Sequence, residues 1–146
     1  GVVGPMVAAA KGDNDLALSR LERTFFVLPH KEYSGMQPLY LVLEYCEWLY
    51  RDTGDERFRQ LLIERSRIRQ RTYPFESWTY AFDAVHAQDE QQRLRALAIA
   101  DYLDPNSRRL KLIARDELKA ARSWMKTHNP FVLPDEPTAA PQDNLL

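Results

Sequence analysis

The sequence predicts an all-α fold, and three observations carry this prediction. Apolar residues recur at steps of three and four along most of the 146-residue chain, which is the spacing that places them on one face of a helix. Proline and glycine stand mainly at the breaks between these periodic segments, where they start or end helices. Only five residues are glycine, and so low a number disfavours a turn-rich all-β fold.

The first two predicted helices have recognisable ends. The first covers residues 15–28, with Asp13 as a suitable N-cap and Pro29 as the residue that stops it. The second covers residues 34–54 and opens with the Ser-x-x-Gln spacing of a capping box. It ends at Gly54, because glycine readily adopts the backbone conformation that closes a helix.

Four further helices follow after short connections. The third covers residues 55–72, and the fourth opens at Pro74, since proline is well suited to the first helical turn. The fifth begins at the N-cap Asp89 and ends before Pro105, and the sixth covers residues 107–127. Connections of only a few residues predict that consecutive helices form antiparallel hairpins.

The composition changes near the carboxyl end. Four prolines occur among acidic and small residues in the segment 129–146, and such a segment cannot continue a helix. We therefore interpret residues 129–146 as an extended or disordered tail. Phe131, Val132 and Leu133 are the residues of this segment that could dock on the folded part.

A helix–turn–helix phrase recurs along the chain. Asp13, Asp55 and Asp89 each complete a short turn and open a helix. The clearest copy spans residues 74–107, which is 34 residues, with the small residue Ala81 in its first helix and Leu-Asp-Pro-Asn-Ser at its end. A phrase of this period and composition resembles the tetratricopeptide repeat family.

The resemblance implies a short right-handed α-solenoid made of stacked antiparallel helix hairpins. It assigns the folded domain to residues 1–128. Within that domain it implies a partial repeat, two complete repeats and a capping helix, at about residues 1–34, 36–73, 74–107 and 107–127.

The chain also departs from the family pattern. Gln88 replaces the usual glycine of the turn, and Arg93 and Glu47 stand where small residues are usual in the family. An ordinary helical bundle with a coincidental 34-residue spacing is the alternative interpretation.

The amino-terminal edge is expected to be unfinished. Only residues 1–11 remain for the first helix of the partial repeat, which would leave Leu21 and Phe25 with little cover. Because repeat arrays need capping at both ends, we expect either more chain before this edge in a larger protein or contact of this edge with another subunit. The weakly polar stretch 1–10 falls far short of the about 20 apolar residues of a spanning helix, so no membrane span is predicted in this chain.

Charge excludes some classes of partner. Twenty Lys and Arg face twenty-one Asp and Glu, a formal net charge of −1, whereas dedicated binders of nucleic acid or of anionic membranes are usually basic. The third helix nevertheless carries six arginines: Arg57, Arg59, Arg65, Arg67, Arg69 and Arg71. Odd positions wrap around a helix rather than lining one face. We expect salt bridges to neighbouring repeats, with contact to an acidic partner as the alternative.

Residues that would support catalysis or a cofactor are sparse. The three histidines are far apart in the sequence and have no metal-ligand spacing, and no glycine-rich phosphate loop is present. The single cysteine, Cys46, lies among leucines and tyrosines, where a small core residue is expected. The sequence therefore predicts a protein that is not an enzyme and has no cofactor and no metal.

The predicted function is a protein–protein interaction module or scaffold that binds a protein or peptide segment on a concave helical face. Partner-binding residues are predicted on one face of the first helix of each complete repeat: Glu44, Trp48 and Arg51 on the second helix, and Phe75, Trp78, Phe82 and His86 on the fourth. Aromatic anchors flanked by charges are typical of interaction hot spots. Trp78 and Phe82 could instead be core residues.

A second functional class stays open at this stage. The chain could be a soluble accessory or structural domain of a larger bacterial envelope or membrane-associated assembly, or of an enzyme. The sequence decides neither between a cytoplasmic and a periplasmic location nor which partner is bound.

Overall fold

The computed structural model describes residues 12–27 and 38–132, and within those residues it contains six α-helices and no strand. The predicted all-α class is therefore confirmed for this part of the chain. The helices are α1 (Asn14–Val27), α2 (Pro38–Thr53), α3 (Glu56–Thr72), α4 (Ser77–His86), α5 (Glu90–Leu103) and α6 (Arg115–Met125). The predicted capping box of the second helix, the helix expected in residues 1–11 and the tail after Val132 lie outside the described residues.

The three aspartates predicted to open helices are N-caps. The carboxylates of Asp13, Asp55 and Asp89 accept backbone N–H groups of Leu16, Arg57 and Gln92 at 3.0, 3.0 and 2.9 Å. Each bond satisfies one of the N–H groups that a helix start leaves without an intrahelical partner. Gly54 closes α2 with a φ of 70°, a left-handed conformation that favours glycine.

Two predicted helix boundaries are wrong. Pro74 and Phe75 form a turn, and α4 begins only at Ser77. The last helix begins at Arg115 rather than at residue 107, after a short 3-10 turn at Leu110–Leu112. Tertiary contacts explain the difference. The side chain of Leu110 is buried in the core, and the neighbouring Arg109 donates hydrogen bonds to Tyr40 and Glu47 of α2. These contacts override the helical periodicity of the segment.

The core has two parts that meet at α4. One part joins α1, α2 and α3 and includes Phe82 of α4. The other joins α4, α5 and α6, with Tyr80, Ala81 and Ala84 facing α5. Buried alanines on both helices allow the backbones of α4 and α5 to approach closely, and these two helices share the most extensive interface. The fourth helix is thus the centre of the fold.

The two residues of the amino-terminal edge that were expected to have little cover are buried. Leu21 and Phe25 are 0% and 3% exposed, so they do not lack cover. They pack with residues of α2 and α3, and the guanidinium of Arg65 lies 5.3 Å from the centre of the Phe25 ring.

Three of the six arginines of α3 form the expected salt bridges to neighbouring elements. Arg57 pairs with Asp15 of α1, Arg67 with Asp83 of α4, and Arg69 with Glu76 in the turn before α4. The Arg67 pair is the most enclosed, because the Asp83 side chain is only 3% exposed and both of its oxygens accept from the guanidinium, at 3.1 and 3.2 Å. These pairs set α3 against the helices on either side of it.

Candidate functional site

Three of the predicted partner-binding residues share one exposed face of α2. Glu44, Trp48 and Arg51 are exposed at helical steps of four and three, which places them side by side on the helix surface. Leu41 precedes them at the same spacing and is 44% exposed, while Trp48 is 48% exposed. We call these four residues the α2 stripe.

The opposite face of α2 holds the stripe in place. Val42, Leu43, Cys46 and Leu49 are buried at 0–2% exposure. Because these side chains are packed against α1 and α3, the stripe rests on a helix that is fixed to the core. The sequence analysis missed Leu41, although its spacing from Glu44 and Trp48 was visible in the sequence.

Phe75 and Trp78 lie on either side of the first residue of α4 and differ in burial. Phe75 is 78% exposed, yet it belongs to the turn before α4. Trp78 is half-buried against the first core part, with its ring edge-to-face with Tyr40 at 5.6 Å between ring centres. The aromatic face predicted for the fourth helix therefore does not include Phe75, which precedes the helix.

Phe82 and His86 are buried: Phe82 is a core residue, which is the alternative that the sequence left open, and the prediction of His86 as an exposed groove residue is wrong. Phe82 is 0% exposed and His86 is 8% exposed. The helical spacing was read correctly, but burial depends on what covers that face. Arg109 covers Phe82, with its guanidinium carbon 3.6 Å from the centre of the ring, whereas Glu47 and Tyr50 of α2 contact the His86 ring.

The side chain of Glu47 connects these elements through a buried polar centre. Its Oε2 lies 2.6 Å from His86 Nε2, and its Oε1 accepts from Arg109 Nη2 at 3.3 Å. Arg51 of the α2 stripe lies 3.7 Å from the same carboxylate. Glu47 had stood out in the sequence only as a charged residue where the repeat pattern has a small one.

The environment keeps the Glu47 carboxyl ionised. Burial alone would raise its pKa, but the hydrogen bond with His86 and the charge and hydrogen bond of Arg109 outweigh burial and lower the pKa to about 2. A buried carboxylate is costly to desolvate, so its hydrogen-bonded partners are needed to hold it. Glu47 thus provides a fixed negative charge directly behind the α2 stripe.

Arg109 makes two further contacts with aromatic residues. Its Nε donates to the hydroxyl of Tyr40 at 3.1 Å, and its guanidinium carbon lies 5.5 Å from the centre of the Tyr40 ring. The same centre is bounded on the α3 side by Arg59, whose Nη1 donates to the backbone carbonyl of His86 at 2.8 Å. Side chains from α2, α3, α4 and the segment before α6 therefore meet at one place.

The groups that could support other chemistry are placed differently. Burial raises the pKa of the Cys46 thiol to about 12, and its side chain is 0% exposed, which disfavours a nucleophilic role. Within residues 12–27 and 38–132, no grouping of three or more His, Cys, Asp or Glu side chains could hold a metal ion.

An open groove of about 470 Å³ lies elsewhere, between α1 and α3. Carboxylates of Asp15, Glu22 and Glu64 line it together with Arg57. None of the seven predicted partner-binding residues contributes to this groove, so it is separate from the α2 stripe.

Comparison of the chain with protein-family models, with curated proteins and with solved structures finds no match. The described helices include none that is both long enough and apolar enough to cross a bilayer.

Proposed function

We propose that this chain is a non-catalytic interaction module that binds a protein or peptide segment along the α2 stripe. The observation that carries the proposal is the stripe itself: an exposed tryptophan and leucine beside a glutamate and an arginine, on a helix whose other face is fixed in the core. Tryptophan and arginine are the residue types that most often dominate binding energy at protein interfaces. A helix that is already ordered avoids part of the entropy cost of binding.

The proposal includes a tetratricopeptide-like arrangement. Helices α2 and α3 would form one hairpin, α4 and α5 the next, and α6 a cap. Two observations support it: the helices pack chiefly on their neighbours in the chain, and buried alanines lie at the α4–α5 crossing. In such an arrangement the first helix of each hairpin faces the concave side. Helix α2 would then place Trp48 on the concave side.

The experiment compares the wild type with Trp48→Ala and a matched control, Leu112→Ala. Both side chains are large and apolar, and Leu112 is 83% exposed in the segment before α6. Each protein is immobilised and used to capture partners from an extract of its native source. The captured protein is then purified and titrated against the three chains.

We expect Trp48→Ala to weaken binding by about 2 kcal/mol or more, which is roughly thirtyfold in the dissociation constant. Leu112→Ala should bind like the wild type. Both variants should melt close to the wild type, because substitutions of exposed side chains seldom change stability by more than about 0.5–1 kcal/mol. Equal binding by the wild type and Trp48→Ala would refute the proposed site.

A further inference from the structure

Arg109 is bound by its own chain in the way that proteins bind a guanidinium ligand. The Glu47 carboxylate accepts one N–H of the guanidinium, and the Tyr40 hydroxyl accepts another. The ring of Phe82 lies under the planar group at 3.6 Å from the guanidinium carbon. An ion pair, a second directional hydrogen bond and an aromatic face are the three interactions that distinguish guanidinium from other cations.

The residues around Arg109 are held in position by contacts that do not involve Arg109. Tyr40 and Glu47 belong to α2 and Phe82 belongs to α4, and each is held by other contacts. Phe82 is part of the core, the Tyr40 ring packs edge-to-face on the Phe82 ring with 5.4 Å between their centres, and Glu47 is also held by His86 at 2.6 Å. We call Tyr40, Glu47 and Phe82 the socket.

The group that fills the socket comes from a distant part of the chain. Arg109 is separated from Glu47 by 62 residues and from Tyr40 by 69. It lies between α5 and α6, where the backbone forms turns and one short 3-10 turn instead of an α-helix. The buried Leu110 holds the backbone of this segment in the core, but the Arg109 side chain has several rotatable bonds, so its guanidinium can leave the socket while the segment stays in place.

We propose that Tyr40, Glu47 and Phe82 form a binding site for a guanidinium group, which Arg109 occupies in this structure and which an arginine side chain of the bound partner occupies when Arg109 withdraws. The part that concerns a partner rests on the proposed function, whereas the socket itself does not. The socket adjoins the α2 stripe, since Arg51 of the stripe lies 3.7 Å from the Glu47 carboxylate. A segment bound along α2 could therefore reach the socket with one side chain.

The chemistry of the socket favours arginine over the other charged side chains. The Glu47 Oε1 and the Tyr40 hydroxyl both face the socket as hydrogen-bond acceptors, which disfavours carboxylates and phosphates. A lysine ammonium could pair with Glu47, but it lacks the planar face that stacks on Phe82 and the fixed fork of donors that reaches two acceptors at once.

The test empties the socket and refills it with a small ligand. Arg109→Ala is prepared in the full chain, and its melting temperature is measured with increasing methylguanidinium chloride, which is the end of an arginine side chain. We expect a saturable rise in the melting temperature of Arg109→Ala. At a ligand concentration ten times the dissociation constant, the folding equilibrium constant should increase about elevenfold.

Three controls isolate the socket. Arg122→Ala removes an arginine that pairs with Asp101 at the surface, so methylguanidinium should not stabilise that variant. Arg109→Ala combined with Glu47→Gln should lose the response, because the socket then lacks its charge. Methylammonium chloride should stabilise Arg109→Ala much less than methylguanidinium does.

Each other outcome overturns the proposal. No saturable rise in Arg109→Ala would show that the socket does not bind guanidinium, and an equal response to methylammonium would show a site for cations in general. If Arg109→Ala is unfolded in buffer, circular dichroism replaces the melt, and failure of methylguanidinium to restore helix refutes the socket. None of these measurements involves the partner that is proposed to bind at Trp48. A negative result would therefore refute the socket and leave the proposed function untouched.

Discussion

Replacing Glu47 by glutamine should destabilise the protein in a way that depends on pH. Glutamine keeps the shape of the side chain and removes its charge, while Arg109 and His86 remain enclosed at 13% and 7% side-chain exposure. A pKa held at about 2 against an ordinary 4.5 corresponds to roughly 3 kcal/mol of stability from the ionised carboxyl. Removing one partner of a buried pair costs a similar amount, about 3–5 kcal/mol.

The sign of the pH dependence follows from the same values. The unfolded chain takes up a proton at Glu47 near pH 4.5, whereas the folded chain does so only near pH 2. The stability that Glu47 provides is therefore complete above about pH 4.5 and is lost as the pH falls toward about 2. Because the glutamine variant has no such group, the stability curves of the two proteins should converge at acidic pH.

Urea unfolding followed by circular dichroism measures this difference at a series of pH values. At neutral pH we expect Glu47→Gln to lose roughly 3 kcal/mol and about 10 °C in melting temperature. Glu44→Gln is the matched control, since Glu44 is exposed on the same helix. A constant difference between wild type and Glu47→Gln across the acidic range would refute the reasoning, because the loss would then come from shape and not from charge.

Two further predictions concern single residues of α2 and its end. Gly54→Ala should cost about 1 kcal/mol in urea unfolding, because alanine is strained at the left-handed φ of 70°, even though no atom beyond the neighbouring residues lies within 4 Å of the added carbon. An unchanged midpoint would contradict this. The Cys46 thiol, with its pKa raised to about 12 by burial, should react with a disulfide reagent far more slowly in the folded chain than in urea. Equal rates in both conditions would show that α2 opens readily.

The helices and their caps could be predicted because the signals are local. An aspartate followed by a periodic apolar segment specifies a helix start whatever surrounds it, and Asp13, Asp55 and Asp89 behave accordingly. The start of α6 could not be predicted in the same way. The segment before α6 has a helical pattern of apolar residues, but the burial of Leu110 and the hydrogen bond of Arg109 to α2 determine its backbone conformation.

The candidate site was predictable in part for the same reason. Glu44, Trp48 and Arg51 are exposed because α1 and α3 occupy the other side of α2, and periodicity within α2 contains that information. The burial of Phe82 and His86 depends on side chains of other elements, Arg109 over Phe82 and Glu47 beside His86, and periodicity within α4 does not contain these contacts. The one available signal was Glu47, a charge at a position expected to be small, because a charge at a helix crossing needs buried partners.

The separation in sequence between Arg109 and its contacts has a consequence for the order of events during synthesis. Most helix contacts join neighbours in the chain, and contacts of this kind form early and fast. Domains also begin to fold from the amino end while the rest is still being made. Helices α2, α3 and α4 can therefore pair before residue 109 emerges from the ribosome, so for an interval the nascent chain carries the Glu47 carboxylate and the Phe82 ring without the arginine that later covers them.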